Sequence, residues 1–269
     1  MSKPSQSDAV MNGQILPSFE PGTFAPNAKS ASKAKMIAAQ GTMEAKLMLR
    51  HGEQQLLSII IPLGLLIAFR IFPFAEDLGG MDAAIPMVFA VAATSAGFTG
   101  QAIAVAFDRR YGALKRNGAS GVPAWAIIVG KIIAVFAMVC LQVVVLGTAA
   151  IILGFRAPVG GVLLALIVLL LGVASFTALG LALGGSLSAE IVLALSNLIW
   201  FVLLAIVGWA LYSQGLTEVG WLNAIPSVAL ASGLAEALSG SIPFIPIIAL
   251  ILWAIGASYI ATKWFRFAG

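Results

Sequence analysis

The stretch Asp108-Arg109-Arg110-Tyr111-Gly112-Ala113-Leu114-Lys115-Arg116 puts five charges into nine positions of a chain with 15 Lys+Arg and 11 Asp+Glu among 269 residues. It lies between two long apolar runs. Mixed charge at that density does the chemistry of ion pairing and docking, and beside apolar segments it survives only where it meets water, headgroups or another protein. Read at helical spacing, Asp108, Gly112 and Lys115 share one face, and Tyr111 and Leu114 occupy another that is apolar enough to dock on a protein. Gly118-Ala119-Ser120-Gly121-Val122-Pro123 then ends the helix and turns the chain back. The stretch is either a rigid lever that takes force from another subunit or a solvated loop obeying the positive-inside rule. The spacing and the sharp turn after it favour the lever.

A second constellation is uncharged. Thr94 and Gln101, seven residues apart, share a helical face with Phe98 between them, and Ser95 and Thr99 share the adjoining face. Gly97 and Gly100 fall on the other side. Further along, Ser196 and Trp200 share a face, beside Asn197. Polar groups at membrane depth are costly unless they pair or face a cavity. One reading is a substrate path at a subunit interface, with Thr94, Thr99 and Gln101 opposite Ser196 and Asn197, and Phe98 and Trp200 holding an apolar body. The other is close helix packing, in which small residues let backbones approach and hydroxyls bond across helices. Gln142 and Ser175 stand isolated, with no role assigned.

Several chemistries are missing. No G-x-x-x-x-G-K-[ST] occurs: Gly130-Lys131 is the only Gly-Lys pair, and Trp125 stands where the first loop glycine belongs, so the chain carries no Walker-type nucleotide site. There is no G-x-G-x-x-G loop and no G-x-S-x-G elbow. One histidine, His51, excludes bis-histidine haem and multi-histidine metal sites within a single chain, and one cysteine, Cys140, excludes an intrachain disulfide. No buried acidic pair suggests proton-coupled transport, and the spans hold almost no ionisable groups. The net charge of +4 comes from basic residues grouped beside apolar runs and gives no indication of nucleic-acid binding.

The elements that must position these residues are membrane helices. The chain is 60% hydrophobic with mean hydropathy +1.02, against roughly half apolar in a soluble domain, and several runs exceed the roughly 18 residues that cross the hydrocarbon as a helix. The expected fold is an all-α integral membrane protein. Residues 1–31, rich in Ser, Pro, Asn and Gly, read as a disordered cytoplasmic tail, and 32–269 as one transmembrane domain. Ser32 to Glu53 reads as an interfacial helix with Met36, Gln40, Met43 and Leu47 at helical spacing. Six spans follow, near Leu56–Phe72, Ala84–Phe107, Trp125–Leu153, Val162–Leu183, Ile191–Tyr212 and Phe244–Ala261. Lys29, Lys33, Lys35, Lys46 and Arg50 precede the first. Arg109, Arg110, Lys115 and Arg116 separate the second and third, and Lys263 and Arg266 follow the sixth. That grouping puts both termini in the cytoplasm. Between spans five and six, Ile225-Pro226 starts a short helix over Ser227 to Leu238 that ends at Gly240. It either dips back into the outer leaflet against protein or rests outside as a cap.

Asp108-x-x-x-Gly112-x-Leu114-Lys115, then Pro123, then Gly130-Lys131, resembles the stretch after the second helix of ABC-2-type exporter permeases, which include the daunorubicin-resistance and polysaccharide-export permeases. Family members typically have Glu at the position of Asp108. Ile225-Pro226, Gly233-Leu234 and Gly240 resemble the segment after the family's fifth span, although Ala235 stands where an arginine is frequent. The resemblance runs from about Met36 to Phe267. It implies an amphipathic elbow helix before span one, a cytoplasmic coupling helix between spans two and three, and short outer-leaflet helices between spans five and six. It implies two permease subunits, identical or homologous, and two separate ATPase subunits that carry ATP and Mg. This chain itself would hold no cofactor or metal and have no catalytic residue. The ATPase would dock on Asp108, Arg109, Tyr111, Gly112, Leu114, Lys115, Arg116 and Pro123. The expected activity is export of an apolar or amphiphilic compound, drug-like, lipid or glycolipid, across the plasma membrane. The alternative is a non-transporting assembly or accessory subunit.

Overall fold

Prolines and glycines punctuate the apolar runs, and the helices start and stop at them. The computed structural model describes residues 10–11, 14–15, 31–50, 52, 56–72, 74–119 and 122–264. The chain forms two units, Met1–Lys33 and Ala34–Gly269. In the first, β1 (Val10–Met11) pairs antiparallel with β2 (Gln14–Ile15). Apart from that ladder and Ala31, the tail expectation falls outside the described residues, as does His51.

The second unit is helical. α1 (Lys33–Arg50) buries Gln40, Gly41 and Met48, while Met43 and Leu47 are exposed. The stripe expected along Met36, Gln40, Met43 and Leu47 is therefore split: Gln40 turns to the bundle and the other two turn away. α2 (Ile61–Ile71) is entered through a π-helical turn, Leu56–Ile60. It is followed by the single turn α3 (Phe74–Asp77). α4 spans Gly80–Arg110, with a π-helical segment at Ser95–Gly100. After α5 (Ala113–Ala119), four long helices follow: α6 (Ala124–Ile152), α7 (Val159–Ser186), α8 (Ala189–Gln214) and, after a 3-10 turn (Gly220–Ala224) and α9 (Pro226–Leu238), α10 (Phe244–Trp264). Pro123 and Pro158 immediately precede α6 and α7, and Pro226 opens α9. Proline's missing N–H costs nothing at these starts.

Among the described residues five helices are long and apolar enough to cross a membrane, from α4, α6, α7, α8 and α10. The protein is an all-α, multi-pass membrane protein. The first expected span is the exception. Over that span the described apolar helix is Ser58–Ile71, which ends where Phe72 turns extended.

α7 runs through the middle of the bundle, packed on α4, α9 and α10. α6 leans on α2 and α4 and barely touches α7. α9 is buried from Pro226 through Leu234, packed among α4, α7, α8 and α10. Of the two readings of that segment, the structure has the one buried against protein.

Candidate functional site

The elbow between α4 and α6 is a turn between two helices. α4 stops at Arg110 because Gly112 takes φ +69°, a left-handed conformation that a residue with a Cβ adopts only with strain. The single face expected for Asp108, Gly112 and Lys115 therefore does not form: Asp108 belongs to α4 and Lys115 to α5. Leu114 is likewise not part of a docking face. It is 4% exposed and anchors α5 from beneath. Tyr111, 63% exposed, stands over the turn, and Lys115 and Arg116 are exposed beside it. Its ring stacks at 5.9 Å from that of Phe107, the Arg110 guanidinium lies 5.8 Å from its centroid, and Arg116 Nη1 donates to its carbonyl at 2.7 Å. Pro123, with ψ 147°, starts α6.

The last three residues of α4 each reach a different helix. Asp108 Oδ2 accepts from Lys131 Nζ at 2.6 Å, and the same ammonium donates to Glu44 Oε2 at 3.2 Å. This joins α4, α6 and α1. The Lys131 side chain is only 4% exposed. Arg109, expected among the docking residues, is instead buried and turns the other way: its Nη1 donates to Gly184 O at 2.9 Å and to Leu187 O at 3.0 Å, closing the C-terminal end of α7. Arg110 pairs with Glu190 in the first turn of α8. Three successive side chains point about 100° apart around a helix, so neighbours in sequence serve separate partners. Lys131, two turns inside α6, is one of the few ionisable groups within the expected spans. Glu44 and Lys131 were not singled out for this role by sequence reasoning. The signal was present, because a lysine within an apolar helix needs a carboxylate or water, and Gly130-Lys131 had been noted only as part of a motif.

α1 fits closely against α6 here. A Cβ on Gly41 would come within 2.8 Å of Ile133 Cδ1, and one on Gly130 within 2.5 Å of Gln40 Cγ. Gln101 Nε2 donates to Met48 Sδ at 3.8 Å, which adds a link between α4 and α1.

The small-polar constellation sits inside one protomer. Thr94, Phe98, Thr99, Gln101, Ser196 and Trp200 are buried, and Asn197 is partly buried. The π-helical segment Ser95–Gly100 runs through the middle of the group. A π-turn holds more residues than an α-turn, so the faces drawn at 3.6 residues per turn are rephased across it. Thr94 Oγ1 donates to Ala90 O at 2.7 Å, Ser196 Oγ to Leu193 O at 3.5 Å, and Asn197 Nδ2 to Leu193 O at 2.9 Å. Thr99 Oγ1, Gln101 Oε1 and Trp200 Nε1 are buried without hydrogen-bond partners. α4 and α8 face each other here, and Thr94 and Trp200 line one small void of about 10 Å³. Two polar residues set aside in the sequence are cross-ties. Gln142 Nε2 donates to Ser58 O and Ala92 O at 3.2 and 3.0 Å. Ser175 Oγ donates to Leu250 O at 2.7 Å.

A larger groove of about 580 Å³ opens between α6, α7 and α10. Ile128, Ile132 and Phe136 form one wall and Leu170 and Leu181 the floor; among the described residues its hydroxyls are those of Thr177, Ser258 and Thr262. Among the described residues no cluster of His, Cys, Asp and Glu could hold a metal ion.

The family model described as ABC-2 type transporter matches residues 39–242, a stretch that takes in most of α1, the elbow, the Lys131 triad and α9. No curated protein and no solved structure matches the chain.

Proposed function

We propose a mechanism from one premise: the chain belongs to the ABC-2 type transporter family, as a membrane-spanning permease component and not the ATPase. In this mechanism the elbow receives force from a separate ATPase subunit that binds ATP and Mg. The observation that carries this is the branching at the end of α4, where Asp108, Arg109 and Arg110 tie the elbow to α6 and α1, to α7 and to α8. A displacement of Tyr111 and α5 has firm routes into the bundle, which a loose topogenic loop would lack. Two such chains, identical or homologous, work with two ATPases. The grouping of Lys and Arg puts the elbow and both termini on the cytoplasmic side of the plasma membrane.

The cargo is apolar or amphiphilic and moves outward. Two features support an apolar or amphiphilic cargo. The groove along α6 is almost wholly apolar, and Thr99 and Gln101 on α4 and Trp200 on α8 keep buried polar atoms unpaired. Leaving such an atom unpaired costs about 1–3 kcal/mol. A state in which α4 and α8 part would recover that energy, by wetting these groups or by offering them to a passing polar head. Thr94, Phe98, Ser196 and Asn197 would line the same opening.

The test is reconstitution in vesicles with the cognate ATPase. Tyr111→Ala and Lys115→Glu alter only exposed side chains, so the permease should still fold while its hold on the ATPase weakens. Loss of an exposed aromatic anchor at such a contact costs about 2 kcal/mol or more. Undiminished ATPase binding and transport in both variants would leave the elbow a passive loop. A wild-type chain that binds no ATPase would instead favour the accessory-subunit reading.

A further inference from the structure

The contacts between α4 and α7 differ in kind from those between α6 and α7. Over the elbow half of α4 the two backbones touch. A Cβ on Gly180 would lie 2.7 Å from Phe98 O, and one on Gly184 would run into Ala102 O. Neither helix can slide or roll there without a backbone clash, since protein interiors have no slack to absorb it. Arg109 closes this contact at its end. It is 8% exposed, and its guanidinium holds two carbonyls of the last turn of α7, where a cation also suits the helix dipole. α6, by contrast, stands off from α7 across the groove of about 580 Å³. Beyond the chain that leads into it at Pro123, its ion-pair tie to the elbow is one ammonium, shared between Asp108 on α4 and Glu44 on α1.

We propose that Arg109 is a positioning residue for the transport step: it fixes the elbow end of α4 to the end of α7, so that α4 and α7 move as one body, and the boundary that yields is the groove between α6 and the α7–α10 pair. The proposal rests on the elbow being the coupling site. It adds that force reaches α7 directly, through a side chain with no part in docking, and it names the surface that must slide.

The experiment uses the full permease–ATPase complex in vesicles, with Cys140→Ser as background. Wild-type transport that depends on the ATPase is confirmed first; its absence overturns the coupling reading and this proposal with it. One paired variant, Arg110→Cys with Glu190→Cys, is bridged by a short bis-maleimide, which puts a covalent tie in place of the ion pair between α4 and the first turn of α8, just past the end of α7. A second, Ile132→Cys with Leu170→Cys, is bridged across the groove. The first bridge should leave transport unchanged and the second should abolish it. Transport lost on the first bridge, or unaffected by the second, overturns the proposal. Arg109→Gln should keep ATPase binding and lower transport roughly tenfold, within the range for a residue that carries coupling at a distance. The 110–190 bridge should restore it, an outcome that a merely structural role for the arginine does not produce. If Arg109→Gln fails to assemble, Arg109→Lys, which can still reach one carbonyl, replaces it, and the two bridges in the Arg109 protein decide by themselves.

Discussion

At the elbow end, α4 hands three consecutive charged residues to α6, α7 and α8, and the contacts are ion pairs and charge-assisted bonds. At the other end, α9 is packed among α4, α7, α8 and α10 by small apolar side chains, and a few neutral bonds tie it to α8 and to the 3-10 turn before it, and that turn to α10. Ser232 Oγ meets Asn223 Oδ1 at 2.5 Å, Ser227 Oγ donates to Leu203 O at 3.2 Å, and Trp253 Nε1 donates to Ala224 O at 2.8 Å. The difference is one of reversibility. A shared ammonium can release one carboxylate while keeping the other, so a charged junction can pass through intermediate arrangements. A backbone packed against a helix has one arrangement or none. The elbow end is built to shift and the α9 end to hold its shape.

The largest effect should come from breaking the charged junction at its centre. Lys131→Ala leaves Glu44 and Asp108 without the buried ammonium they share, at a cost of about 3 kcal/mol, the lower end for a buried ion cluster because Asp108 is one-third exposed. Thermal unfolding in detergent should show a large fall for Lys131→Ala and a smaller one for Glu44→Gln, which keeps a polar partner. Arg110→Ala breaks an exposed pair and should change stability by about 1 kcal/mol or less. If Lys131→Ala is no worse than Arg110→Ala, the triad does not hold the elbow to α6.

A test at the α9 end should give an intermediate effect. A Cβ on Gly161 would lie 2.7 Å from Ala237 O and 3.2 Å from Leu238 O, so Gly161→Ala must push α9 off α7. Overpacking of this kind costs about 1–3 kcal/mol. Gly147→Ala, where an added Cβ meets nothing within 4 Å, is the control. It should stabilise α6 slightly, because glycine in a helix interior is about 1 kcal/mol worse than alanine. Equal behaviour of the two variants in detergent unfolding would mean that the α9 end yields as readily as the elbow.

The sequence showed the long helices because unbroken apolar length is a strong signal, and it showed α9 because Ile225-Pro226 and Gly240 bracket it. It also marked the elbow, because charge is scarce elsewhere. The partners of those charges were not legible. Glu44, Asp108 and Lys131 are separated by 64 and 23 positions, and Arg109 bonds carbonyls, which no side-chain pattern reveals. The faces drawn along the second span failed for a different reason. Spacing arguments assume a uniform turn, and the π-helical segment Ser95–Gly100 has no signature in residue type. Leu114 was misplaced because an apolar residue in a charged stretch serves equally well as an outward contact or as an anchor, and only the turn at Gly112 decides between them.

The smallest expected effect separates the two ends by pH. Glu236, on α9, has no ion-pair partner among the described residues, and burial raises its carboxyl above the usual carboxylate range. The sign follows from which form the fold disfavours. With the folded value above the unfolded one, the folded protein binds the proton more tightly, so stability is greatest below the unfolded value. It declines as pH rises through the interval between the two and is level above it. Glu236→Gln mimics the neutral acid. Its unfolding temperature in detergent should lack that decline and, at neutral pH, should equal or slightly exceed that of the native chain, by less than the Gly161→Ala effect. A decline over the same interval that persists unchanged in Glu236→Gln would place its origin elsewhere, and the α9 end would then carry no titratable weakness of its own.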